Sequence, residues 1–133
     1  AAVVMGFVVS PVCYFAVSFL KRKLGYDDAL DAFGIHAVGG VTGGVLAGLF
    51  CVPELSWTDF GGLVYTGDPT LLGAQVLGIL VTVVFVGVLD VVLGFAVKAC
   101  FKGSLRVSEA EEAQGLDVAA HGESAYPAYV GLD

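Results

Sequence analysis

Charged side chains are scarce in this sequence, and their scarcity excludes most soluble proteins. Only 14% of the 133 residues are charged, whereas 57% are hydrophobic. A soluble domain of this size could not bury so much apolar surface, and the composition is typical of a membrane protein. Motifs for metals, nucleotides and nucleic acids are also lacking. We therefore expect no enzyme, no cofactor and no nucleic-acid partner.

A paired or closely spaced set of cysteines and a start signal are lacking too. Cys13, Cys51 and Cys100 are odd in number and have no short metal-type spacing, so neither a disulfide framework nor a metal site is predicted. The first residue is Ala1 rather than Met, and no cleavable signal peptide is visible. The chain opens as the middle of a helix would, which we expect of a piece of a longer protein.

Long apolar stretches dominate what is present. They cover residues 1–20, 32–52 and 70–97, and about 20 apolar residues suffice to cross a hydrocarbon core of roughly 30 Å. The sequence therefore predicts an all-α membrane protein with a three-span transmembrane region over residues 1–102. The composition then changes to a soluble, acidic tail over residues 103–133.

The basic residues fall on one side of this arrangement. Each of them follows the first or the third span, and the loop at 53–69 contains none. Cytoplasmic loops carry the excess of Lys and Arg in membrane proteins. The tail is therefore predicted to lie in the cytoplasm, with the spans in the cell (inner) membrane. The basic residues are Lys21, Arg22, Lys23, Lys98, Lys102 and Arg106.

Glycines at helical spacing mark the second span. Three overlapping G-x-x-x-G pairs occur between Gly39 and Gly48, a pattern that lets helix backbones approach closely in lipid. His36, the only ionisable residue from 32 to 52, shares a stripe with Gly40 and Gly43. We expect it to face protein or a narrow cavity. Two interpretations stay open: a functional histidine, or a buried helix-contact histidine with satisfied hydrogen bonds.

Two acidic residues are predicted to have structural roles. Asp31 precedes the second span, where its carboxylate would accept from a free helix amide. Asp90 lies inside the third span, where a charge costs about 2.5–3.5 kcal/mol on insertion scales. Gly87 and Gly94 share its face, so we expect Asp90 to point into protein, either paired or protonated.

The tail contains its own helix signals. Ser108 followed by Glu111 makes an S-x-x-E capping box, and Gly115 is placed to end the short helix that it starts. Asp117 is predicted to cap another turn that stops near Gly122. A solvated, disordered end is the alternative for so charged a segment.

Two stretches of the chain resemble the ammonium transporter family (the Amt/Mep/Rh group). The run DAFGIHAVGG from Asp31 matches the family pattern DxFGxHxxGG around one of its two pore histidines. The run LRVSEAEEAQGLDVAAHGESAY from Leu105 resembles the family's C-terminal tail. The resemblance covers nearly the whole chain and implies the last three of eleven membrane spans, followed by the cytoplasmic tail.

The resemblance also implies roles for particular residues. The implied pore and substrate residues are His36, Ala32 and Ile35. Residues implied to be structural near the pore are Asp31, Phe33 and Gly34. Residues implied to form a regulatory tail are Arg106, Glu109, Gly115, Leu116, Asp117, His121, Gly122 and Glu123.

The function that the resemblance implies is transport of ammonium or ammonia through an apolar pore lined by a histidine. It further implies a homotrimer, contacts with the remainder of the transporter chain, and docking of a P-II type regulatory protein on the cytoplasmic face. An alternative from another class is a non-conducting membrane interaction module that acts through its cytoplasmic tail.

Overall fold

The computed structural model describes residues 1–101 and 105–124, which form helices and connections without any strand. Three of the helices are long and apolar enough to cross a membrane, which confirms the predicted all-α fold. The chain divides into two compact units, Ala1–Gly87 and Val88–Asp133. In chain order the helices are α1 (Ala2–Leu24), α2 (Phe33–Phe50), α3 (Leu63–Thr66), α4 (Thr70–Cys100) and α5 (Glu109–Gln114).

Both α1 and α2 contain a π-helical turn. It covers Ala16–Leu20 in α1, and α2 begins with one at Phe33–Ala37. A π turn bonds an amide to the carbonyl five residues back, so it holds an extra residue compared with an α-helical turn. The first helix ends at Gly25, whose φ of 65° places it in the left-handed region, where glycine is tolerated at little cost.

One face of α2 packs against α1 through glycine. A Cβ atom at Gly34 would lie 2.7 Å from Val17 Cγ2, and one at Gly39 would lie 3.0 Å from Cys13 Sγ. Side chains at these positions would therefore push the two helices apart. Gly34 is buried in this contact, and Ala16 is buried on the facing part of α1.

Another face of α2 packs against the first half of α4. A Cβ atom at Gly48 would lie 2.8 Å from Leu72 Cα, and one at Gly44 would lie 3.0 Å from Ile79 Cδ1. Leu46 and Gly48 are the buried residues in this half of α2. In lipid, where apolar side chains gain little by leaving the solvent, close backbone approach of this kind supplies the van der Waals contact that holds helices together.

Hydrogen bonds of Gly62 and Asp68 hold the connection between α2 and α4. Gly62 is buried, and its amide donates to the Cys51 carbonyl at 2.7 Å. The Asp68 carboxylate accepts from the Thr70 hydroxyl at 2.6 Å and from the Thr70 amide at 2.9 Å. Both bonds favour the charged form and lower the pKa of Asp68. The start of α4 is thereby fixed to the loop before it.

The C-terminal part of α4 exposes nearly all of its side chains within its own unit. Asp90 is exposed and forms no hydrogen bond or ion pair with residues 1–101 or 105–124. Open space surrounds the Cβ positions of Gly87 and Gly94. The expected burial of Asp90 against protein is therefore not met within the described chain, and its role stays a prediction.

The capping box of the tail is confirmed. The Ser108 hydroxyl accepts from the Glu111 amide at 3.3 Å, while the Glu111 carboxylate accepts from the Ser108 hydroxyl at 2.7 Å and from the Ser108 amide at 2.8 Å. Both bonds from Ser108 lower the pKa of Glu111, and the hydroxyl bond has the larger effect. α5 ends at Gly115 as predicted.

The turn after α5 differs from the prediction in one respect. Asp117 is the first residue of a π-helical turn, Asp117–His121, and its side chain caps no amide. A capping carboxylate at Asp117 would accept a hydrogen bond from the Ala119 amide. That amide already donates to the Gly115 carbonyl at 3.0 Å. The capping role of Asp117 is therefore wrong, whereas the stop at Gly122 is right, since this residue has a φ of 68°.

Replacing Ser108 by Ala is expected to loosen α5, because it removes both hydroxyl bonds of the capping box. Losing an N-cap of this type costs about 0.5–2 kcal/mol of helix stability. Amide hydrogen exchange from Glu109 to Gln114 should therefore become faster. Ser108→Asp, which keeps an acceptor at the cap, should exchange more slowly than Ser108→Ala. Equal exchange in the wild type and Ser108→Ala would show that other contacts hold this helix.

Candidate functional site

His36 lies in the π-helical turn at the start of α2, a turn that closes where the Val38 amide donates to the Phe33 carbonyl. Turns of this type are rare, and they are frequent at functional sites. The His36 side chain is exposed on this chain and has no hydrogen-bond partner among residues 1–101 and 105–124. Within that part of the chain, the satisfied helix-contact histidine is therefore not observed.

The stripe of α2 that carries His36 makes none of the tight glycine contacts. Cβ positions at Gly40 and Gly43 have open space around them. The contact with α4 reaches Gly44 but not Gly40, although the two are one helical turn apart. The tight helix contact expected for this stripe is thus not made by the described residues. Its glycines instead leave room beside the imidazole.

Two carboxylates and one ammonium group hold the start of α2. The Asp28 carboxylate accepts from the Ala32 amide at 2.8 Å and from the Phe33 amide at 3.0 Å. The Lys21 ammonium donates to the Asp31 carboxylate at 2.6 Å and to the Asp28 backbone carbonyl. One side chain from the end of α1 thereby binds two points of the loop that leads into α2.

The prediction that the Asp31 carboxylate caps α2 is wrong. The Asp31 backbone does occupy the first capping position, because its carbonyl accepts from the Ile35 amide at 2.9 Å. Its φ of 56° is left-handed, a conformation that Asp tolerates better than most residues. Its carboxylate is bound by Lys21, and the free amides are taken by Asp28.

The roles of Lys21 and Asp28 were not predicted from the sequence. In the sequence, Lys21 is informative only as a positive charge after the first span. Asp28 precedes the first capped amide, that of Ala32, by four residues, farther than the two or three residues of an ordinary N-cap. The available signal was the presence of two acidic residues, Asp28 and Asp31, just before an apolar span. Spacing alone does not show which of the two carboxylates caps the helix.

The predicted neighbours of His36 differ in the contacts that they make. The Phe33 ring meets the Tyr26 ring edge to face with centroids 5.4 Å apart, and Gly34 is buried against α1. Ala32 and Ile35 are exposed, the latter at 49%. Together with the imidazole they present a short surface that is mostly apolar. The part these residues play in transport stays a prediction.

The predicted regulatory residues of the tail lie in the second unit. The Arg106 guanidinium pairs with the Glu112 carboxylate at 3.2 Å, across the first turns of α5. Ala125 and Tyr126 of the tail motif lie outside the described residues, as does Lys102. Exposed within their unit are Arg106, Glu109, Leu116, Asp117, His121, Gly122 and Glu123.

Comparisons with known proteins agree on one family. The family model described as Ammonium Transporter Family matches residues 1–126. An ammonium transporter of Bacillus subtilis is 42% identical over 126 residues, which are 95% of this chain and 30% of the relative. One of Aquifex aeolicus is 42% identical over 125 residues, 94% of this chain and 28% of the relative. The chain thus spans less than a third of the length of these curated relatives.

Proposed function

The chain belongs to the ammonium transporter family, and from this premise we propose that the full-length protein carrying this sequence conducts ammonium or ammonia across a membrane along a route lined by His36. The family is one of transporters rather than enzymes, and with its three long apolar helices this is a membrane protein. The observation that carries the proposal is that His36 stands on a stripe of α2 left free of helix packing.

The chemistry of an exposed imidazole on an apolar helix fits this role. A neutral imidazole donates from one ring nitrogen and accepts at the other, so it can hydrogen-bond a small solute where bulk water is excluded. Ala32 and Ile35 lie beside His36 and bring only apolar atoms to this surface. A bare cation in such surroundings loses its hydration without compensation. We therefore propose that Ala32 and Ile35 line the inner end of the route.

The other three motif residues support the route without lining it in this proposal. Asp31 is bound by Lys21, Phe33 packs on Tyr26, and Gly34 lets α2 approach α1. Each of these contacts fixes the backbone from which the imidazole projects. Their proposed role is structural.

Assembly and regulation follow as further parts of the proposal. The one-sided distribution of Lys and Arg supports an orientation in which the spans lie in the cell membrane and the tail lies in the cytoplasm. The exposed acidic tail with its capped helix offers a surface for a P-II type regulatory protein. A homotrimer with one route per subunit is the proposed assembly. The alternative of a non-conducting module acting only through the tail has no support from the relatives, which are named as transporters.

Flux through the full-length protein in liposomes tests the proposed function. We expect uptake of labelled methylammonium, an ammonium analogue that is mostly charged at neutral pH, well above that of protein-free liposomes. Unlabelled ammonium should compete with it, because both solutes would pass the same site. A folded oligomer that takes up no more than the protein-free control would contradict the proposal and favour the non-conducting module.

A further inference from the structure

We infer that Lys21 is a positioning residue for His36, holding through its pair with Asp31 the π-helical turn that sets the direction of the imidazole. The inference rests on the proposed function of His36. Lys21 belongs to the last turn of α1 and lies fifteen positions before the histidine in the chain, so it acts through the loop that it binds. Its hydrogen bonds go to Asp28 and Asp31 rather than to His36.

The geometry ties the end of α1 to the start of α2 through one ammonium group. Lys21 Nζ lies 2.6 Å from Asp31 Oδ1, and it also donates to the backbone carbonyl of Asp28. The side chains of the ion pair are only 29% and 33% exposed. Such a pair is less screened by water than most surface pairs, whose median contribution is near zero.

Asp31, the acid of this ion pair, and Asp28 pass the constraint to the π turn. Asp31 is the residue whose carbonyl receives the Ile35 amide, and Asp28 receives the amides of Ala32 and Phe33. The beginning of α2 is therefore held by three hydrogen bonds, at the amides of Ala32, Phe33 and Ile35. All three amides belong to the four residues that precede His36.

The position of His36 in the turn makes it sensitive to that constraint. An α-helix advances about 100° per residue, since it has 3.6 residues per turn. If a π turn relaxes to an α turn, the extra residue leaves the turn, and the side chains before it rotate by about that angle relative to those after it. The far end of α2 is held by Gly44 and Gly48 against α4. The near end is held by the bonds of Lys21 to Asp28 and Asp31 and by the contact of Gly34 with α1.

Lys21→Ala in the full-length protein tests the inference, with Lys23→Ala as the matched control. Lys23 lies in the same helix turn but is exposed, and its ammonium is placed 5.8 Å from the Phe19 ring centroid. We expect Lys21→Ala to lower the maximal rate of methylammonium uptake about tenfold or more, since small misplacements of an active group can cost up to about a hundredfold. The KM and the yield of folded oligomer should stay near those of the wild type. Lys23→Ala should change none of these.

Charge reversal and conservative replacement separate positioning from plain loss of stability. Lys21→Arg, and the double variant Lys21→Asp with Asp31→Lys, should each recover part of the lost rate. Lys21→Gln, which keeps most of the side chain without its charge, serves if Lys21→Ala fails to fold. Amide exchange from Phe33 to Ala37 should rise in Lys21→Ala or Lys21→Gln but not in Lys23→Ala. Unchanged exchange there, or a rate that falls only in proportion to the oligomer yield, would overturn the inference.

A cycle with His36 distinguishes this inference from the proposed function. If Lys21 acts through the imidazole, Lys21→Ala should cost little further flux in a His36→Ala background, where no polar side chain remains to be misplaced, because coupled positions are non-additive. The same fractional loss in both backgrounds would overturn the positioning role. Wild-type flux in His36→Phe would instead refute the proposed function, whatever Lys21 does.

Discussion

Replacing His36 by Phe is expected to abolish ammonium flux while leaving the assembled protein intact. The side chain stands on an exposed stripe of α2 that takes no part in the glycine contacts with α1 or α4. A phenyl ring should therefore not disturb the packing of this chain. It is larger than imidazole and can neither donate nor accept a hydrogen bond, so a narrow route would be both filled and stripped of its polar group.

The measurement is uptake of methylammonium by reconstituted liposomes, recorded together with current at equal amounts of folded oligomer. Val41→Phe is the matched control, because it puts the same ring on another exposed part of α2, where Val41 is 41% exposed. That variant should keep most of the flux. Wild-type flux in His36→Phe with an intact oligomer would show that the imidazole does not line the route.

His36→Glu should behave differently from His36→Phe. A carboxyl group keeps hydrogen-bonding capacity at the same place on α2, so solute should still pass. An ionised carboxylate stabilises a nearby cation, and the current per solute should therefore increase. The comparison of flux with current thus tests the chemistry of the position as well as its place on the route.

What could be predicted from the sequence depended on how local each signal was. The capping box of Ser108 and Glu111 needs only residues three apart, and the structure contains all of its bonds. The membrane helices follow from long apolar runs, which need no knowledge of a partner. Both kinds of feature were recognisable in the sequence for this reason.

Features that join distant parts of the chain were not predictable in the same way. The choice between Asp28 and Asp31 as the cap is decided by Lys21, which binds Asp31 from the end of α1. The sequence does not indicate that this ammonium group lies beside the loop. The residues named at the site came from a resemblance to a family motif, whereas the contacts around them came from the fold.

Which glycines of α2 contact a neighbouring helix is the clearest example of a feature that the sequence could not predict. In a water-soluble protein, an amphipathic stripe reveals which face of a helix is buried. α2 is apolar on every side, so its hydrophobic pattern does not show which face packs against another helix. Spacing alone suggested that the three G-x-x-x-G pairs were alike. In the structure Gly44 and Gly48 meet α4, while the Cβ positions of Gly40 and Gly43 face open space.

Gly48 is accordingly the glycine of α2 whose replacement is expected to do the most damage. A Cβ atom there would lie 2.8 Å from Leu72 Cα and 3.0 Å from Leu72 Cδ1. The first of these atoms is backbone, so it cannot move aside without shifting α4. Gly48→Ala should therefore lower the thermal stability of the full-length protein in detergent, since overpacking costs about 1–3 kcal/mol. Gly48→Val should prevent normal packing of α2 on α4.

Gly73 provides the control for this prediction, because it lies beside Leu72 in α4 but has nothing within 4 Å of its Cβ position. Gly73→Ala gains the same helix propensity as Gly48→Ala, about 1 kcal/mol. The difference between the two variants therefore isolates the steric term. We expect Gly73→Ala to match or exceed the wild-type melting temperature and Gly48→Ala to fall below it. Equal melting temperatures for the two alanine variants would mean that α4 yields to the added methyl group, and the close approach at Gly48 would then not be what holds these helices together.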